Sequence, residues 1–438
     1  MRGKNISQIK KTKPAKNITV YGWVHVIRDL GNIKFILLRD ISGTIQTVIL
    51  KKNQAVFKKS AKLTPESVVR LTGQLKKQKQ APDGVEILVQ SIKILSLALP
   101  ELPIPVIEKT KAQTAQSKRI DWRWLDLRKP QKQLVFKVWT EMERAMRQYF
   151  LENNFIQIYS PKLMSSPSEG GSELFELPYF KTKAFLAQSP QFYKQMAMAA
   201  GLERVFEAGP VFRAEPSFTS RHATEFTSYD FEMSFIQSHQ DVIAVEEQML
   251  KSMLKAVQEK YGQLIKKQYN RELVVPSIPF PQFTMKQAKA ILKKLKVPGP
   301  KPGDLTPEEE KALSRYVLEK YNHEFVFITQ YPASVRPFYH MRLKNNPRLT
   351  KSFDLLFCGL EITTGAQREH RFQMLKTQAK KSGVSLKFIK DYLNYFKYGC
   401  PPHGGAGIGP ARIVMKILGE KNIQETTFVH RGVKRLRP

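Results

Sequence analysis

Phe212-Arg213-Ala214-Glu215 opens a short stretch that runs through Arg221-His222 and ends on Glu225-Phe226. Five ionisable groups and the aromatics Phe212 and Phe226 fall within these fifteen residues. The Arg-x-Glu step puts both side chains on one face of a strand, because side chains alternate along a strand. A loop rich in Ser and Thr follows, then an apolar run over 226–233, so the stretch predicts a hairpin. Two arginines and a histidine on one hairpin can grip several phosphate oxygens. A glutamate beside them can accept from an exocyclic amine, and a phenylalanine can stack on a base. Read alone, the same residues also fit an exposed hairpin laced by ion pairs.

Two further clusters lie downstream. Asp354 and Glu361 stand near strand-like apolar residues, followed by Thr363-Thr364-Gly365 and Gln367-Arg368-Glu369. Such acids can hold Mg²⁺ on a phosphate chain, since that ion takes one or two carboxylates plus phosphate oxygens. Arg368 could take a carboxylate through both nitrogens. The third cluster, residues 404–412, is a glycine-rich run that ends on Arg412 and leads into an apolar helix over 413–418. Small residues let backbone approach a ligand, and an arginine at a helix start sits near phosphate.

The N-terminal part has a different texture. Val20, Gly22, Val24 and Val26 alternate with Tyr21, Trp23, His25 and Ile27. Strand signals recur over 33–39, 44–50, 68–75 and 85–94, separated by turn residues such as Pro82-Asp83-Gly84. Five short strands fit a small closed barrel of the oligonucleotide-binding kind. Residues 1–16 carry six basic residues and no acid, and read as a flexible tail. The barrel is expected over 17–103, a proline-rich linker over 104–130, and a larger domain over 131–438 with an insertion at about 265–325. Residues 134–150 show a 3.6-residue apolar period, hence a helix.

Composition narrows the class. Lys plus Arg is 72 against 38 for Asp plus Glu, a formal charge of +34, with 42% apolar residues. That excludes a disordered chain and an acidic halophilic surface. It points to a polyanion, nucleic acid first. No apolar run approaches the roughly 20 residues of a membrane span, and the start is too polar for a signal peptide. Two cysteines, Cys358 and Cys400, make neither a disulfide framework nor a structural zinc site, so a cytoplasmic protein is expected.

Taken in order, the three clusters resemble the motifs of class II aminoacyl-tRNA synthetases: Pro161, then residues 212–215 with Arg221-His222, then the glycine run ending at Arg412. Residues 123–128, 168–175, 185–195 and 367–371 resemble the aspartyl subfamily of archaeal and eukaryotic type. The likeness runs from about residue 17 to the end. It implies an α+β fold: an N-terminal five-stranded OB-fold β-barrel, then a catalytic domain on an antiparallel sheet flanked by helices. It also implies an ATP-dependent ligase that activates L-aspartate and loads it on tRNA-Asp, working as a homodimer with Mg²⁺ as cofactor.

Residue roles follow from the resemblance alone. Arg213 would bridge the α-phosphate and the substrate carboxylate, Glu215 would face adenine, and Phe226 would stack on it. Arg221, His222 and Arg412 would hold the β- and γ-phosphates. Asp354, Glu361 and Thr364 would lie at the metal. Glu169, Ser189, Gln191 and Asp230 would surround the ammonium of aspartate, and Lys194 with Arg368 would take its side-chain carboxylate. Two cations there reject a neutral amide, and asparaginyl relatives lack a counterpart of Lys194. On the barrel, Arg28, Phe35 and Gln46 would meet the anticodon. His25 and Pro82 occupy positions that go with relaxed enzymes, which also load tRNA-Asn. Ala366, Ala406, Pro410-Ala411, Thr364 and residues 428–431 depart from the family pattern, which bears on the ATP pocket more than on the reaction. An asparaginyl enzyme, a non-catalytic RNA-binding paralogue and an amide ligase on the same fold remain the alternatives.

Overall fold

Alternation of apolar and polar side chains builds the first five strands: β1 Ala15–Asp29, β2 Ile33–Asp40, β3 Gly43–Leu50, β4 Val68–Lys77 and β5 Val85–Ser96. In the computed structural model, which describes residues 3–108, 113–166, 173–297 and 299–438, they close a barrel in the order β1-β2-β3-β5-β4. Val20, Val24, Ile36, Leu38, Ile45, Ile49, Val69, Leu71 and Ile87 fill its interior. Each such side chain contributes about 1.5–3 kcal/mol relative to exposure.

Two expectations change here. Val26 was expected inward with Val24. Instead Val24 pairs with Leu38 and Val26 with Leu37, so His25 is the extra residue of a β-bulge. The bulge flips the alternation: Ile27 packs on the core, and Val26 turns outward. Nor is the N-terminal segment a free tail over its described length. Helix Ile6–Lys10 carries an Asn5 capping box and buries Ile6 and Ile9 in the barrel core. The Ile6 N–H donates to Asp40 Oδ2 at 3.0 Å, and Lys10 pairs with Asp83 at 2.7 Å. Two apolar residues three apart on one helical face outweigh the surrounding lysines.

The chain divides into two compact units, Met1–Gln133 and Leu134–Pro438. The expected linker holds two short helices, Gln116–Asp121 and Arg123–Asp126, tied by Arg119 and Arg123 on buried Asp126 at 3.2 and 3.0 Å. The division falls inside helix Pro130–Glu152.

In the second unit the strands are β6 Ile156–Gln157, β7 Leu163–Met164, β8 Glu176–Tyr179, β9 Thr182–Leu186, β10 Arg204–Phe212, β11 Glu225–Ser234, β12 Gln282–Thr284, β13 Phe325–Thr329, β14 Ser352–Phe357, β15 Glu361–Gln367 and β16 His403–Ile408. The main sheet runs β12-β13-β14-β15-β16-β11-β10-β6, and β7-β9-β8 form a small separate sheet. The six middle strands are antiparallel, as expected. The outer pairs, β12 with β13 and β10 with β6, are parallel, so the sheet is mixed. In both cases a helix-bearing connection separates the partners, as parallel pairing requires. Residues 282–321 supply β12 and helices Met285–Lys294 and Pro307–Tyr321, which share a core with Val326 and Ile328 of β13 and Leu356 of β14.

Helix Pro130–Glu152 lies on this sheet. Leu134, Val135, Val138, Met142, Met146 and Phe150 share a core with Phe206, Phe231 and Phe353. Its apolar face is therefore used within the chain and needs no partner subunit to cover it. Leu151 at the end of this helix is exposed, as are Ile156, Tyr159 and Leu163 in the segment that follows. No described helix is long and apolar enough to cross a membrane.

Candidate active site

The predicted hairpin is real: β10 and β11 pair antiparallel, with Phe212 opposite Glu225. Arg213 and Glu215, however, lie beyond the end of β10 in the connecting loop, so strand alternation does not align them. What holds them is local bonding. The Arg213 N–H donates to Thr224 O at 2.9 Å, its guanidinium stands 3.7 Å from Glu215, and it lies 5.5 Å from the Phe226 ring centre. His222 Nε2 stands 3.7 Å from Glu215. Burial first, then Arg412, pushes the His222 pKa down, so the ring is neutral near pH 7.

These residues border one cavity of about 280 Å³, together with Ser189, Gln191, Lys194, Arg221, Asp230, Glu361, Thr364, Arg368 and Arg412. Three distant parts of the sequence thus meet on one sheet face. Glu169 lies outside the described residues. Asp354 stands just behind the cavity, opposite Thr364 in the β14–β15 pairing.

The glycine run forms β16, in the middle of the sheet between β15 and β11, and Gly407 and Gly409 border the cavity. A Cβ on Gly405 would lie 2.0 Å from Phe231 O and 2.4 Å from Glu232 Oε2, so a larger residue is excluded by the neighbouring strand. Arg412 follows in helix Pro410–Leu418 and donates to Glu361 O at 2.8 Å.

The inner end of the cavity is a buried charge cluster. Lys194 Nζ lies 3.0 Å from Asp230 Oδ1, 3.2 Å from Ala406 O and 3.4 Å from Glu232 Oε2. Arg368 meets Glu232 through Nε at 2.9 Å and Nη2 at 3.3 Å, and Gly405 O at 2.9 Å. Burial pushes the Glu232 carboxyl up, but Arg368 and then Lys194 outweigh it and hold the pKa below the usual range. Glu232 escaped sequence reasoning. Its signal was the Asp230-Phe231-Glu232 step, which puts two carboxylates on one face of a strand.

Asp354 and Glu361 lie on adjacent strands, β14 and β15. Asp354 Oδ2 accepts from Arg336 at 2.6 Å, while buried Oδ1 has no hydrogen-bond partner. Thr364 Oγ1 reaches Glu361 Oε1 at 3.4 Å. Burial, then the Asp354 charge, pushes Glu361 up. An orphaned carboxylate oxygen and a second acid under like-charge strain fit a divalent cation that also binds phosphate. Among the described residues no group of three or more His, Cys, Asp or Glu forms a cage. Glu246 is fully buried, and burial pushes its pKa up to about 8 against a side-chain hydrogen bond with Thr363.

On the barrel, the register places Arg28 opposite Phe35, Phe35 opposite Val48, and Leu37 opposite Gln46. Arg28, Phe35 and Gln46 therefore share one outer face, and Phe35 is not core: Ile36 and Leu38 are. Gln46 donates to Glu86 at 2.9 Å. His25 is engaged elsewhere. Its Nδ1 accepts from Arg39 at 2.7 Å, and Arg39 and Arg128 both bind Glu66. Burial raises Glu66, but His25, Arg39 and Arg128 outweigh it and bring it to about 2. Pro82 is exposed in the turn before β5.

An arginine-walled cavity on an antiparallel sheet, joined in one chain to a five-stranded barrel, defines one class of protein. Residues 115–430 match the class II tRNA synthetases (D, K and N), and residues 18–95 match the OB-fold nucleic acid binding domain. The chain belongs to the class II tRNA synthetases. Within that class it is 41% identical to the aspartate–tRNA(Asp/Asn) ligase of Methanopyrus kandleri over 434 residues, 99% of this chain and 98% of the relative. It is 40% identical to the aspartate–tRNA(Asp) ligase of Pyrococcus abyssi over 99% of this chain and 98% of the relative. The crystal structure of asparaginyl-tRNA synthetase from Pyrococcus horikoshii with asparaginyl-adenylate superposes with a TM-score of 0.90 at 30% identity, covering 99% of both chains.

Proposed function

We propose that this chain is an aspartate–tRNA ligase. The substrate α-carboxylate attacks the α-phosphorus of ATP, and pyrophosphate leaves. The terminal ribose hydroxyl of tRNA then attacks the aspartyl carbonyl, and AMP leaves. The observation that carries the reading is the pair of buried cations, Lys194 and Arg368, at the inner end of the cavity. A carboxylate side chain can share them with Glu232, whereas a neutral amide would leave them short of charge. The fold does not choose between the two amino acids, since an asparaginyl enzyme superposes well. Aspartate-dependent pyrophosphate exchange with no response to asparagine is expected. Equal or greater exchange with asparagine would overturn the reading.

Each cavity residue then has a task. Arg213, which borders the cavity, would touch both the α-phosphate and the carboxylate that attacks it. Phe226 offers a stacking face and Glu215 an acceptor for the adenine amine. Arg221 and Arg412 neutralise the β- and γ-phosphates, and neutral His222 adds a hydrogen bond. Ser189, Gln191 and Asp230 surround the ammonium. Asp354 and Glu361 would hold Mg²⁺, which when bound neutralises phosphate charge. No covalent enzyme intermediate is needed, so catalysis is positioning and electrostatics.

On the barrel, Arg28, Phe35 and Gln46 present a cation, a stacking face and an amide to an unstacked anticodon base. The tRNA-Asp and tRNA-Asn anticodons share their first two bases and differ at the third. His25 is bound to Arg39, and Pro82 has no N–H to donate, so few fixed contacts remain for that base. Charging of tRNA-Asn within about tenfold of tRNA-Asp is expected. His25→Trp also removes an acceptor from Arg39, so Pro82→Lys is measured alone and in combination. A wild-type preference above roughly a thousandfold would show that the third base is read after all. The exposed apolar residues Leu151, Ile156, Tyr159 and Leu163 support a homodimer, and free Cys358 and Cys400 suit the reducing cytoplasm.

A further inference from the structure

Helix Pro307–Tyr321 belongs to the insertion between β12 and β13, far in sequence from the β10–β11 hairpin. Its first turn carries Glu308, Glu309 and Glu310. Glu309 serves its own neighbourhood: it accepts from Thr306 N at 2.9 Å, Gly299 N at 3.0 Å and Lys289 Nζ at 2.7 Å. Glu310 does not. Its side chain is 5% exposed and accepts from Arg221 Nη1 at 2.8 Å, across 89 residues of sequence. The Glu361 backbone N–H also meets this carboxylate, which ties the helix to β15. Burying a carboxylate is costly, and a helix N-terminus is served as well by a solvated one. The position of Glu310 therefore calls for a purpose beyond capping.

Arg221 borders the active cavity on a loop without regular structure, and its only hydrogen bond among the described residues is the one to Glu310. A guanidinium has five N–H donors in a rigid plane. A single contact at Nη1 fixes that plane and leaves donors for a second, anionic partner. We propose that Glu310 is a positioning residue for nucleotide binding: it holds Arg221 so that its remaining donors meet the terminal phosphates of ATP and, in the reverse direction, pyrophosphate. This rests on the proposed reading of Arg221 as a phosphate-binding residue. The insertion then acts in the reaction without touching substrate.

The test compares wild type, Glu310→Ala, Glu310→Gln, Arg221→Ala and the double variant Glu310→Ala/Arg221→Ala. ATP affinity is measured by titration calorimetry, which needs no turnover. KM values for ATP, pyrophosphate and aspartate come from the exchange assay. Glu310→Ala is expected to weaken ATP binding and raise the pyrophosphate KM by about tenfold, with the aspartate KM unchanged. Glu310→Gln keeps an acceptor for Nη1 and should stay within about threefold of wild type. The double variant should bind ATP no worse than Arg221→Ala alone. Unchanged or tighter ATP binding in Glu310→Ala, or equal rises for ATP and aspartate, would overturn the assignment. A wild type without aspartate-dependent exchange would refute the proposed activity, and the calorimetric comparison would still decide the part played by Glu310.

Discussion

Glu232 has two buried cations as partners, and that arrangement sets what each residue beside it can tolerate. Lys194→Met removes one cation, so the site should lose its hold on a carboxylate side chain. The aspartate KM in pyrophosphate exchange is expected to rise by about a hundredfold or more, with the ATP KM nearly unchanged. An equal rise in both would place Lys194 outside the amino-acid pocket. Glu246 makes a separate prediction. Its pKa is about 8 in the folded chain, above the ordinary carboxyl value. Between the unfolded and folded values the native state keeps a proton that the unfolded chain has lost, so this group takes away stability as pH rises. Glu246→Gln lacks that penalty. Its gain in denaturant midpoint over wild type should grow from about pH 5 to about pH 8, and a constant difference would refute the assignment. Most cavity residues were legible in the sequence because their types are chemically distinctive. Glu232, Arg336, Glu310 and Glu246 were not, since a charged residue does not by itself show what it will face, and only Glu232 carried a local hint in its spacing from Asp230.

At the level of elements, periodicity did most of the work, and its failures have causes. The bulge at His25 adds one residue to β1 and inverts every side chain after it, an event no alternation count contains. Glycine signals both turns and close packing, so the glycine run does not by itself read as a strand. Only the neighbouring strands show that packing applies. Gly365 extends the same rule to β15, where a Cβ would lie 2.2 Å from the Phe353 ring. Gly365→Ala is expected to lower stability by about 1–3 kcal/mol, read from thermal unfolding. The short N-terminal helix was hidden by its lysines, although Ile6 and Ile9 seal the barrel. Ile9→Asp buries an unpaired charge there and should melt the barrel several degrees earlier, whereas Lys11→Asp at an exposed position should not. Similar effects of both would mean the helix does not seal the barrel.

The whole molecule carries a formal charge of +34, and binding a polyanion with it should depend steeply on salt. Because the N-terminal helix is part of the barrel, charge is best removed without deletion. Replacing exposed Lys4, Lys11, Lys13 and Lys16 with alanine should flatten the slope of log affinity for tRNA against log salt by up to a few units. Anticodon preference should not change. An unchanged slope would show that these lysines do not meet the phosphate backbone. Composition foretold a nucleic-acid partner but not the mixed outer edges of the main sheet, which depend on where helical crossovers return the chain.

The position of β16 has a consequence for how the chain is made. β15 and β11 are both synthesised well before it, yet each must wait for His403–Ile408 to come between them. A nascent chain on the ribosome therefore holds two adhesive strand edges until His403–Ile408 has been made. The barrel, complete by residue 96, has no such delay. A premature stop before His403 would release a product with a finished barrel and a divided sheet, prone to capture by chaperones or by its own copies.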